Sequence, residues 1–141
     1  MNKWLNQFLT NFHKTHLKKL NFKKVRHTFS RDMNEYWERF NFQGSAWNSA
    51  NDDYWTFYLN YGVEFKDLEP EKHWSFFPHT HWAGRIGTSW NYTLETDPEA
   101  LMQELEAQIF KAGVKIAREI IGLRKHYLKG NHLGYYPFTE I

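Results

Sequence analysis

From Tyr54 to Phe65 hydrophobic and polar residues alternate over twelve positions. Trp55, Phe57, Leu59, Tyr61, Val63 and Phe65 fall on one side, and Thr56, Tyr58, Asn60, Gly62 and Glu64 on the other. A period of two marks a strand with one buried and one more polar face. Shorter runs repeat the pattern. Val25, His27 and Phe29 alternate with Arg26, Thr28 and Ser30, which predicts one strand; Asp32-Met33-Asn34-Glu35 reads as a hairpin connection. Tyr36, Glu38, Phe40 and Phe42 then alternate with Trp37, Arg39, Asn41 and Gln43. His79–Ile86 and Thr88–Glu95 predict a fourth and a fifth strand, with Gly87 between them available for a tight turn.

The flanks of the chain change period. In residues 2–20, Leu5, Leu9, Phe12, His16 and Leu20 recur every three or four positions, the stripe of an amphipathic helix. His16 lies on that stripe, where a hydrogen-bonded packing role is expected, and Asn21 suits the left-handed residue that ends a helix. After the start signal Thr96-Asp97-Pro98-Glu99 come Leu101, Leu105, Ile109, Ala112, Ile116, Ile120, Leu123 and Tyr127. That stripe passes Gly113 unbroken and predicts one helix to Gly130. At 1.5 Å per residue it spans roughly 45 Å, longer than a domain of this size, so its end must overhang or break.

Helix, five strands, helix is most economically an α+β two-layer sandwich. The antiparallel sheet has about five strands, with the N- and C-terminal helices on its Trp55/Phe57/Leu59 face. A length of 141 residues fits a single domain over 1–141, with 131–141 as a tail packing loosely on it.

Composition narrows the chemistry. The chain has no Cys, which excludes disulfides, thiolate metal sites and a cysteine nucleophile. Aromatic residues make up 19%, so much of the core must be aromatic. No uncharged apolar run nears the ~20 residues of a membrane span, and the N-terminus lacks a secretory pattern; a reduced, cytoplasmic setting is the expectation. Residues 1–31 carry eight bases and no acid, against ten bases and 16 acids in the rest. Lys14, Lys18, Lys19, Lys24 and Arg26 could form a basic patch, but a net charge of +2 argues against nucleic acid as partner.

Four phrases carry a resemblance. They are Leu17-Lys18-Lys19-Leu20-Asn21-Phe22, Phe40-Asn41-Phe42-Gln43-Gly44-Ser45, Phe57-Tyr58-Leu59-Asn60-Tyr61-Gly62-Val63 and His81-Trp82-Ala83-Gly84-Arg85-Ile86-Gly87. In this order the chain, over roughly residues 5–110, resembles the prokaryotic domain-of-unknown-function family 4304. Asn21 stands where that family has Gly. The resemblance implies no established activity and transfers no catalytic residue.

Candidate chemistry concentrates on the polar side of the sheet. Gln43, Asn60, His81 and Arg85, with Tyr58 beside them, would gather two amides, an imidazole and a guanidinium, a floor for an anionic or sugar-like ligand. Arg85, flanked by Gly84 and Gly87, can lie across the sheet and present its planar fork. His79 and His81 are two apart, a spacing metal sites use, with His73 and Glu64 as conceivable neighbours. No nucleophile with an activating base and no Gly-rich phosphate loop is visible. The leading expectation is a non-enzymatic protein-interaction module, inhibitor- or immunity-like, without a cofactor. A small-ligand binder is the alternative, and a hydrolase using His79 and His81 on a metal the third. The expected partner is another protein or a small ligand, with no membrane.

Overall fold

The structure, a computed structural model, describes residues 2–45, 48, 54–69 and 80–130. Helix α1 (Asn2–Phe12) runs on through a π turn (His13–Leu17) and a 3-10 turn (Lys18–Leu20) to Asn21, whose φ is +70°. The Asn21 and Phe22 amides donate to Lys18 and Leu17 carbonyls at 3.0 and 3.2 Å, closing the helix end. Phe22 folds back into the core, 5.8 Å from the Phe40 ring.

Six strands follow: β1 (Lys23–Val25), β2 (Thr28–Asp32), β3 (Tyr36–Gly44), β4 (Tyr54–Phe65), β5 (Trp82–Arg85) and β6 (Trp90–Thr93). All pairings are antiparallel in the order β1-β2-β3-β4, with β5 and β6 both on the far edge of β4. The structure departs from the sequence pattern in two places. The run from Val25 to Ser30 is not one strand: Arg26 takes φ +55°, and the chain reverses through Arg26-His27 to pair Val25 with Thr28. Nor do the last two strands form a hairpin at Gly87. They lie in line along β4, with Arg85 opposite Asn60 and Trp90 opposite Phe57. Residues 86–89 oppose only Tyr58 and Leu59, a wide bulge in which Gly87 adopts φ +69°. Two extra residues preserve the alternation, so Trp82, Ile86, Trp90 and Tyr92 all face the same layer.

Helix α2 (Pro98–Leu128) is one unbroken helix of 31 residues. Asp97 caps it, accepting the Glu99 amide at 3.1 Å, and Pro98 occupies the first turn. Gly113 does not end it, because the apolar stripe on either side is buried together. Both helices pack on the sheet side bearing Trp55, Phe57 and Leu59. Phe12 of α1 meets Phe29 and Phe42 edge-on, with centroids 6.0 Å apart in both pairs, and these two meet edge-on at 5.7 Å. His16 ties the helices together: Nε2 lies 2.8 Å from Glu99 and Nδ1 3.0 Å from Glu106. The tail 131–141, with His73 and His79, lies outside the described residues.

Candidate functional site

On the sheet side away from the helices, register brings the predicted polar residues onto neighbouring strands. Gln43 opposes Tyr58, Asn41 opposes Asn60, and Asn60 opposes Arg85. A row of polar side chains crosses three strands, with amides on β3 and β4 and the Thr28 hydroxyl on β2. Asn41 Nδ2 donates to Thr28 Oγ1 at 2.9 Å, and Asn60 Nδ2 donates to Gln43 Oε1 at 3.1 Å and toward Asn41 Oδ1 at 3.4 Å. Asn60 is fully buried, and among the described residues its Oδ1 has no partner. Arg85 is exposed and places its guanidinium carbon 3.9 Å from the centre of the Tyr58 ring. Glu64 does not reach Arg85. It accepts from Arg39 at 2.8 Å, and Arg39 also donates to Ser30.

His81 leaves this group. Its amide donates to the Val63 carbonyl, but its ring turns to the helix side, 4.7 Å from Tyr127 and 5.1 Å from Phe65. The residue lies just before β5, where the chain bends, so the strand alternation does not govern it. Nδ1 accepts the Phe65 amide at 3.0 Å, which fixes it as an unprotonated nitrogen. Burial pushes the imidazole pKa below 6.5, more than nearby Glu64 raises it. His81 is therefore a packing residue of the layer interface. Among the described residues no three His, Cys, Asp or Glu side chains come together to hold a metal, and His79 lies outside them.

A second charged group, missed in the sequence, sits between the layers. Glu38 is fully buried, and Arg31 Nε donates to its Oε1 at 2.5 Å, with Nη2 on the same oxygen. The Arg31 guanidinium lies over Phe22, 4.7 Å from the ring centre. Burial pushes the Glu38 carboxyl above its usual range, against the pull of Arg31. Oε2 has no partner. The signal was present: Glu38 alternates in phase with Tyr36, Phe40 and Phe42, so a carboxylate belongs to an aromatic row.

The third feature is the outer face of α2. Its inner stripe is buried as expected, yet Phe110, Val114, Ile121 and Leu128 are 68, 42, 69 and 57% exposed. With exposed Ala107 and Ala117 they step by 3, 4, 3, 4 and 7 residues, a second apolar row on one helix. Arg124 fills the gap before Leu128 and is held by Asp67 in two bonds of 2.7 Å. Lys111, Arg118 and Lys125 follow one edge of the row. Phe110 and Val114 line a shallow hollow of about 310 Å³ with Lys111, Lys115 and Arg118. Ile121 also borders a deeper groove of about 500 Å³ between α2 and the end of β4, walled by Tyr36, Phe65 and Ile120. No described helix is long and apolar enough to cross a membrane.

Comparison with known proteins finds a family for the chain. The family model "Domain of unknown function (DUF4304)" matches residues 13–119. That is more than half of the chain, and the chain belongs to this family. No curated protein and no solved structure matches.

Proposed function

We propose that this member of the DUF4304 family is a protein-interaction module, and that its partner presents an acidic amphipathic helix to the outer face of α2. The carrying observation is the second apolar row, with Phe110 and Ile121 more than two-thirds exposed. A helix apolar on two opposite faces has one face too many for a two-layer domain. Spacing of alternately three and four residues is the seam on which a second helix packs. Scattered surface apolar residues need no explanation, but a contiguous row bordered by charge is what interaction faces look like.

Charge supports the kind of partner. Lys111, Arg118 and Lys125 line one edge of the row, so glutamates beside an apolar seam complement it. A second copy of this chain fits less well. Laid antiparallel, it would set the three bases against themselves. Laid parallel, it would need free acids along the opposite edge, where Glu99 and Glu106 are already bound to His16 and Gly113 and Tyr127 are buried against the body.

The test uses two labelled synthetic helices with the same leucine seam, one flanked by Glu and one by Lys, titrated by fluorescence anisotropy. The Glu-flanked helix should bind at least tenfold more tightly, and Phe110→Asp with Ile121→Asp should abolish that binding. Equal affinity for both helices, no saturable binding, or a dimer of the chain in sedimentation that Phe110→Asp dissociates would overturn the reading.

A further inference from the structure

The polar side of the sheet is a separate place from the α2 face, and its residues ask for a different occupant. Asn60 sits in the middle of β4, fully buried, with an acceptor oxygen that none of the described residues satisfies. A buried unpaired acceptor works against folding, and an apolar or β-branched residue would serve stability better. What Asn60 does achieve is orientation. Its Nδ2 holds the Gln43 carbonyl oxygen at 3.1 Å, so the Gln43 amide nitrogen, a donor, is turned away from Asn60. Gln43 stands directly across from Tyr58.

Arg85 approaches the same tyrosine from the other side. It is the partner of Asn60 across β4 and β5, and it lies face-on to the Tyr58 ring at 3.9 Å. Among the described residues it has no carboxylate partner, although Arg31, Arg39 and Arg124 each have one. A guanidinium stacked on a ring has its face occupied and its N–H edges left over. Those edges match the two oxygens of a planar carboxylate. We infer that Arg85, Tyr58 and Gln43 form a binding site for a small carboxylate: Arg85 supplies the fork and the charge, Tyr58 holds the fork flat, and Gln43 adds a second donor. One cation with one amide suits a singly charged, planar anion. A phosphate dianion would call for a further cation or a ring of backbone amides, and among the described residues this side of the sheet brings neither to Tyr58.

The experiment titrates sodium acetate into the protein at fixed ionic strength, with sodium phosphate and sodium chloride in parallel. NMR follows the Arg85 Nε–H and the Gln43 side-chain amide. Acetate should shift both signals saturably, with a dissociation constant in the millimolar range. Arg85→Lys keeps the charge without the fork and should weaken acetate binding at least fivefold; Arg85→Gln should abolish it. Because Arg85 is exposed, both variants should unfold at the parent's urea midpoint, which separates lost binding from lost folding. No saturable shift up to 200 mM acetate, a stronger response to phosphate, or full binding by Arg85→Gln would overturn the inference.

Discussion

Gly113 of α2 stands directly over Glu38 of β3: a Cβ at position 113 would lie 3.3 Å from Glu38 Oε2 and 3.6 Å from Arg31 Nη2. The helix thus comes close to the sheet above a buried ion pair, and a side chain at 113 would compete for that space. Glycine inside a helix is disfavoured by roughly 1 kcal/mol against alanine, so the closeness has to be worth at least that. Gly113→Val should destabilise the fold by about 1–3 kcal/mol, measured by urea unfolding. A neutral result would show that the interface gives way easily.

Removing the cation should do more. Arg31→Ala leaves the fully buried Glu38 without its partner, and a broken buried pair costs about 3–5 kcal/mol. The loss should be greatest at neutral pH and shrink in acid, where Glu38 takes up a proton. The parent has a related, smaller signature. The folded pKa of Glu38 lies above its usual value, so its contribution is fully present below 4.5 and is lost as pH rises through the folded value. Glu38→Gln should remove that pH-dependent component in an unfolding series from pH 4 to 8.

His81 has the opposite sign. Burial lowers its pKa below 6.5, so its contribution is present above 6.5 and is lost as pH falls through the folded value. His27, also lowered by burial, adds to the same decline. His81→Gln should flatten part of the loss between pH 7 and 5, leaving the His27 share. An unchanged slope in the variant would mean that His81 is protonated as readily in the fold as out of it.

Gly84 carries a packing requirement. It lies opposite Tyr61, and a Cβ there would stand 2.7 Å from the tyrosine ring. Gly84→Ala should cost about 1–3 kcal/mol. The loss should diminish in a Tyr61→Leu background, because the clash is with the ring. Equal losses in both backgrounds, found by a double-mutant cycle, would place the strain elsewhere.

The period of the sequence carried most of the fold. Twelve alternating residues from Tyr54 and the eight-position stripe from Leu101 were long enough for burial to dictate local form. The chain's reversals were harder. Arg26 has no glycine or asparagine to announce a left-handed turn, so β1 and β2 read as one strand. Gly87 announced a left-handed residue, but not whether it closes a hairpin or sits in a bulge, since both keep Trp82 and Trp90 on the same side. At the candidate sites, alternation located Gln43, Tyr58, Asn60 and Arg85 because each lies inside a strand. It misplaced His81, which lies just before one. The outer row of α2 was spaced in the sequence as regularly as the inner stripe. Exposure distinguishes the two, and exposure depends on where the sheet stops.

The charge on the outer face of α2 is the most direct handle on the proposed acidic-helix partner. Lys111→Glu, Arg118→Glu and Lys125→Glu together reverse the basic edge and leave the apolar row intact. All three residues are exposed, so the fold should tolerate the change. Titrated with the Glu-flanked and Lys-flanked helices, the parent should prefer the first and the triple variant the second, each by at least tenfold, with the difference fading as salt is raised. An unchanged preference in the triple variant would contradict an acidic helix docked along Phe110, Val114 and Ile121.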